Sequence, residues 1–156
     1  MARDTPNPSA ALVLADFFPF RLNRLADAVS QDLSAIYRHR FGLEIPEWRV
    51  LVTVGQRRDC TAQHIAASTR MHKTRVSRAV AALEGRSLIE RALNSDDGRE
   101  MRLHLTKAGR RVYTALVPLA LERERALLSC LPNAQRHDFI EGIARLEASL
   151  KLTDDE

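Results

Sequence analysis

Apolar residues recur at steps of three and four along most of this chain, and each such run predicts an amphipathic helix. In the first run, Leu22, Leu25, Val29, Leu33 and Ile36 share one inward face. Pro19 suits the opening turn, where a missing N–H costs nothing, and Phe41-Gly42 marks the end. A shorter helix is predicted from Pro46, with Trp48, Leu51 and Val52 inward and Gly55 placed to stop it. Arg57 to Cys60 reads as a loop.

Thr61 is a good N-cap for a helix over Ala62 to Ser68 that turns Ile65 and Ala66 inward. After a turn at Thr69 to Met71, the spacing of Val76, Ala79, Val80 and Leu83 defines the buried face of another helix, from His72 to Arg86. The period then falls from about 3.6 to about 2. Met101, Leu103 and Leu105 alternate with Arg102 and His104, Leu88 to Leu93 offers a partner strand, and Asn94 to Gly98 is rich in turn formers, so a β-hairpin is expected. Thr106 can cap a helix through Val112, Leu116, Leu119 and Leu127, with a kink at Pro118. Pro132-Asn133 opens a last helix carrying Phe139, Ile143, Leu146 and Leu150.

Two helices joined by a tight turn and followed by a hairpin make a winged helix-turn-helix. The expected fold class is therefore mainly α, with about six helices plus a β-hairpin wing. At 156 residues and 45% hydrophobic content, the chain can bury a core without disulfides or structural metal. Cys60 and Cys130 supply neither a disulfide framework nor a CxxC metal pair, and read as reduced structural thiols. No stretch reaches the roughly 18 apolar residues of a membrane span, and Met1 to Pro8 lacks the charged start and apolar core of a secretory signal. A cytoplasmic protein with no membrane contact is expected.

The formal charge is only +4, but it is unevenly spread. Residues 57–111 hold 13 Lys and Arg against 6 Asp and Glu, whereas the remainder holds 11 against 14. A basic centre between faintly acidic ends suits binding to a polyanion. The outer face of the helix from His72 carries Lys73, Thr74, Arg75, Ser77 and Arg78. As the second helix of the pair it would enter the major groove of duplex DNA, where Arg pairs with guanine and Lys and hydroxyls hold phosphates. At the hairpin tip, Asp97-Gly98-Arg99 presents a guanidinium to the minor groove, with Asp97 orienting Arg99 through a charge-assisted hydrogen bond.

These residues carry a resemblance. Asp97-x-Arg99 followed by Leu105-Thr106-x-x-Gly109 resembles the wing signature of the MarR family of regulators, and Val76-Ser77-Arg78 with Leu83-Glu84 ahead of Leu88-Ile89 is similar to that family's recognition helix. Pro19-Phe20-Arg21-Leu22 and Ile45-Pro46-Glu47-Trp48-Arg49-Val50-Leu51 resemble one of its subgroups. One departure is Ser87, which stands where the family pattern has glycine between recognition helix and wing. The resemblance implies a homodimer whose terminal helices interlock and carry two winged lobes onto a pseudo-palindromic operator. The apolar stripes on both end helices support this independently, since one small lobe can hardly bury them. The corresponding division is a dimerisation helix over 1–45, a DNA-binding lobe over 46–106 and dimerisation helices over 107–156.

The resemblance also implies a small effector that loosens the grip on DNA: an aromatic or phenolic acid, or an aryl thioester. Phe17, Arg21 and Trp48 are the candidates to hold it, because an aromatic wall and a guanidinium four residues apart share a helix face. Tyr37, Arg38, His39 and Arg40 favour the negative end of the first helix dipole and are read first as helix-end stabilisation. The chain carries no HExxH, phosphate loop, nucleophile elbow or carboxylate pair, and His39, His64, His72, His104 and His137 are scattered. No catalytic residue, metal site or cofactor is assigned. Two alternatives remain at this stage: a sequence-independent architectural DNA binder, and a regulator sensing oxidants through Cys60, which lies beside Arg57 and Arg58 with Asp59 offsetting them.

Overall fold

The computed structural model describes residues 11–57, 60–93 and 101–152. Its elements are α1 (Phe18–Phe41), α2 (Ile45–Gln56), α3 (Ala62–Thr69), α4 (Lys73–Gly85), β1 (Ile89–Leu93), β2 (Met101–Leu105), α5 (Lys107–Leu128) and α6 (Asn133–Ser149). The fold is thus mainly helical, with one antiparallel hairpin after the third and fourth helices. No helix among the described residues is long and apolar enough to cross a membrane.

Local chemistry accounts for the helix ends. Gly42 closes α1 in the left-handed region at φ 60°, its N–H donating to the Arg38 carbonyl at 3.0 Å while the Leu43 N–H reaches that of Tyr37 at 3.1 Å. Glu44 and Glu47 form a reciprocal capping box at the start of α2. Thr61 Oγ1 accepts from the His64 N–H at 3.1 Å and caps α3. Thr106 Oγ1 accepts from the Gly109 N–H at 3.0 Å and caps α5, which continues through Pro118.

The core gathers Val50, Leu51 and Val54 of α2, Ile65 of α3, Val76, Ala79, Val80 and Leu83 of α4, and Leu103 of the wing, joined by Tyr37 of α1 and Leu116 of α5. Two sequence expectations change here. The inner face of α2 is Val50, Leu51 and Val54, with Trp48 and Val52 only half-buried. Gly55 does not stop that helix. It lies inside α2, where a Cβ would sit 2.4 Å from the Tyr113 ring, so its role is to let α5 approach.

The apolar stripe of α1 also differs from expectation. Leu22 and Leu25 are exposed, Val29, Leu33 and Ile36 are half-buried, and the fully buried α1 residues are Ser34 and Tyr37. Only the C-terminal part of α1 packs on the lobe. The last helix buries nothing, and its Phe139, Ile140, Leu146 and Leu150 all face outward.

The wing pairs Ile89 with Leu105, Arg91 with Leu103 and Leu93 with Met101. Its root is buried through Ile89 and Leu103, whereas Leu93 and Met101 are exposed. Cys60, expected in a loop, makes an isolated antiparallel bridge to β2: the Leu103 N–H donates to its carbonyl at 2.7 Å. Ser87 takes the left-handed conformation at φ 54° that its glycine-like position demands, and its carbonyl accepts from Thr106 Oγ1 at 2.7 Å.

Candidate nucleic-acid interface

The helix pair α3–α4 turns at Arg70, which ends α3 at φ 55°, and α4 begins one turn later under an unusual cap. His72 Nδ1 accepts from the Thr74 N–H at 3.3 Å. With Val76, Ala79, Val80 and Leu83 drawn into the core, Lys73, Thr74, Arg75, Ser77 and Arg78 are left exposed on the opposite face. Among the described residues, Lys73, Arg75 and Arg78 take no carboxylate partner. Their positive charge is uncommitted, which is what contact with a phosphate backbone requires.

Two clefts flank this face. One, of about 520 Å³, lies between Glu44, Pro46 and Glu47 of the α2 start and Thr74, Arg75 and Arg78 of α4. Its two carboxylates are already engaged: Glu44 accepts from Arg38 at 2.7 Å, and Glu47 accepts from the Glu44 N–H at 3.0 Å. The other, of about 290 Å³, lies between the helix pair and the wing and brings Lys73 and Ser77 together with Gln63 and Arg91. Arg91 is held there by a two-pronged bond to Glu84, at 2.8 and 3.0 Å. Asp97 and Arg99, the wing-tip candidates, lie outside the described residues.

The effector candidates do not meet within one protomer. Phe17 N-caps α1 and accepts the Arg21 N–H at 3.1 Å, so those two share a turn, and both are exposed. Trp48 stacks on Tyr37, with ring centroids 5.4 Å apart and planes 10° from parallel. Tyr37 follows Phe17 by twenty residues of helix, a separation of about 30 Å. Of the basic cluster ending α1, Arg38 pairs with Glu44 at 2.7 Å, in keeping with a helix-end role.

The surroundings of Cys60 speak against oxidant sensing. The residue is fully buried, and burial pushes its thiol up to about 11 against a smaller lowering by Arg57; Arg58 and Asp59 lie outside the described residues. A thiol so protonated at neutral pH is a poor nucleophile. Cys130 is exposed at the end of α5. Among the described residues no group of three His, Cys, Asp or Glu could hold a metal ion.

Residues 41–100, which take in α2, the helix pair and the first wing strand, match the family model described as MarR family. A MarR/EmrR family transcriptional regulator from Acinetobacter sp. ADP1 superposes with a TM-score of 0.81 at 27% identity, covering 91% of this chain and 100% of that one. The central lobe of this chain thus matches the MarR family, and its fold is that of a MarR/EmrR family winged-helix transcriptional regulator. Its family and fold are those of regulators rather than enzymes. The fold is shared with CouR of Rhodococcus jostii RHA1 bound to p-coumaroyl-CoA (TM-score 0.77, 20% identity, 94% and 100% covered). It is shared also with MepR of S. aureus in complex with DNA (TM-score 0.76, 19% identity, 86% and 98% covered). No curated protein matches the chain.

Sequence reasoning missed three residues of this region. His72 lies outside the usual capping set, so only its geometry reveals it. Arg91 reaches back seven residues to Glu84 over the turn between α4 and β1, and Arg86 finds partners 44 and 45 residues earlier that no local spacing signals.

Proposed function

We propose that this protein is a MarR-family regulator that binds a pseudo-palindromic operator as a homodimer and represses until a small aromatic effector releases it. The observation that carries DNA reading is the exposed, uncommitted set Lys73, Thr74, Arg75, Ser77 and Arg78 on a helix whose other face is locked into the core. Lys and hydroxyls would hold phosphates and Arg75 and Arg78 would reach base edges, with Arg99, supported by Asp97, adding a minor-groove contact. The MepR complex supports DNA as the partner.

Dimerisation is supported by what the chain leaves uncovered. Leu12, Val13, Leu14, Phe17, Phe18, Leu22 and Leu25 at one end, and Leu121, Phe139, Ile140, Leu146, Leu150 and Leu152 at the other, are all exposed. Monomers rarely leave so many large apolar side chains on two helical ends. On this reading 1–45 and 107–156 form the dimer region and 46–106 the reading lobe. An effector site using Phe17, Arg21 and Trp48 would then draw on both protomers, since one protomer holds them about 30 Å apart. The CouR complex supports an aryl thioester or the corresponding acid as the ligand class.

The test is a footprint on duplexes selected from random DNA, followed by a panel of aromatic acids, phenols and aryl thioesters scored for release. A palindromic footprint and release by one class are expected. Equal binding to random DNA at matched salt would instead favour the architectural reading.

A further inference from the structure

Arg86 caps the C-terminal end of the recognition helix, yet its side chain belongs to another part of the fold. Its guanidinium donates to the Gly42 carbonyl at 2.8 Å and to the Phe41 carbonyl at 2.5 Å, partners 44 and 45 residues earlier. It also lies 3.8 Å from the Glu47 carboxylate in the α2 capping box. One planar fork therefore grips the last carbonyls of α1, where the helix dipole is negative, while its own N–H closes α4 on the Ala82 carbonyl at 3.2 Å.

From this geometry we infer that Arg86 is a positioning residue for operator reading: it sets the angle at which the recognition helix projects from α1, and so the spacing between the two recognition helices of the dimer. The inference rests on the dimeric reading above. Core packing holds α4 by non-directional contacts, whereas two hydrogen bonds from one guanidinium fix direction. The lever is sensitive. Thirteen residues of helix span about 20 Å, so a tilt of about 10° at the Arg86 end moves the N-terminal end by about 3.4 Å, one base-pair step. Because α1 also carries the exposed apolar stripe of the dimer region, the brace joins the reading element directly to the element that sets the distance between lobes.

The experiment measures affinity for the selected operator and for versions with one or two base pairs inserted or removed between half-sites, at fixed salt, with wild type, Arg86→Gln and Arg86→Lys. Wild type should lose about tenfold or more per base pair, the scale of a good mismatch penalty. Arg86→Gln should cut that penalty to about threefold or less, and Arg86→Lys, which keeps charge but not the fork, should fall between. Thermal unfolding is recorded for each variant. If Arg86→Gln does not fold, Glu47→Gln keeps the capping acceptor, removes the charge facing Arg86, and should relax the penalty in the same direction. An unchanged penalty profile in a folded variant, or a uniform loss at every spacing, overturns the brace while leaving the operator reading intact. Spacing-independent binding by wild type overturns both.

Discussion

A Cβ placed on Gly109 would lie 1.8 Å from the carbonyl oxygen of Leu88. That carbonyl accepts the Thr106 N–H at 3.1 Å, so the first turn of α5 is pressed against the root of the wing. The Leu105-Thr106-x-x-Gly109 spacing is therefore a docking device: the threonine caps α5 and the glycine removes the only atom that would hold the wing away. Gly109→Ala should cost about 3 kcal/mol or more, read by denaturant unfolding, because backbone must move. Gly85→Ala, with nothing within 4 Å, should instead gain about 0.5–1 kcal/mol. Equal effects from the two would contradict the contact.

Ser87 makes the converse case. Its left-handed backbone carries a strain of about 1–2 kcal/mol for a residue with a Cβ, and glycine would relieve it at the expense of a more disordered unfolded chain. Ser87→Gly should raise stability by up to about 1 kcal/mol, whereas Ser87→Val should lower it. A Ser87→Gly protein that unfolds at lower denaturant would show that the serine side chain contributes more than its backbone costs.

On DNA, Arg78→Ala should weaken operator binding by about 1–3 kcal/mol and relax base preference under one part of the site. Arg99→Ala should weaken it with a shallower dependence of log Kd on log salt, by about one contact. Titrations at several salt concentrations measure both. Wild-type affinity and slope in either variant would remove that residue from the interface.

Burial at Cys60 and exposure at Cys130 predict a wide gap in thiol chemistry. Iodoacetamide at neutral pH should label Cys130 in the folded protein and reach Cys60 only on unfolding, as peptide mass mapping over time would reveal. Cys60→Ser should leave any peroxide response unaltered. Rapid labelling of Cys60 in folded protein would restore the sensing role.

Arg123 clasps Asp32 through two hydrogen bonds, at 2.5 and 2.6 Å, and joins α5 to α1. The bond from Arg123 lowers the Asp32 carboxyl below its ordinary 3.8, against a smaller opposing effect of desolvation. Folding therefore favours the ionised form, so the pair's stabilisation is present above pH 3.8 and is lost as pH falls through the lower folded-state value. Acid unfolding of Asp32→Asn should lack this component. Superimposable pH profiles for variant and wild type would deny the pair a role in stability.

Helical spacing, capping residues and the switch to a two-residue period were enough to place each helix and both wing strands among the described residues, because those signals are local to the chain. The exposed face of α4 was legible for the same reason: once Val76, Ala79, Val80 and Leu83 turn inward, the polar positions between them have nowhere else to go. Long-range geometry was not available from spacing. Gly55 looks like a helix stop in sequence but serves the Tyr113 ring 58 positions later, and Arg86 looks like a surface cation but grips carbonyls 44 and 45 residues before it. Cys60 shows the same limit in its chemistry. Flanking arginines, offset by Asp59, leave the direction of its thiol open in sequence, and only the fold, which buries Cys60, settles that it is raised. The chain alone determined which elements form and which faces are polar; tertiary structure decided which faces meet, since contact, burial and desolvation depend on neighbours that sequence separation does not reveal.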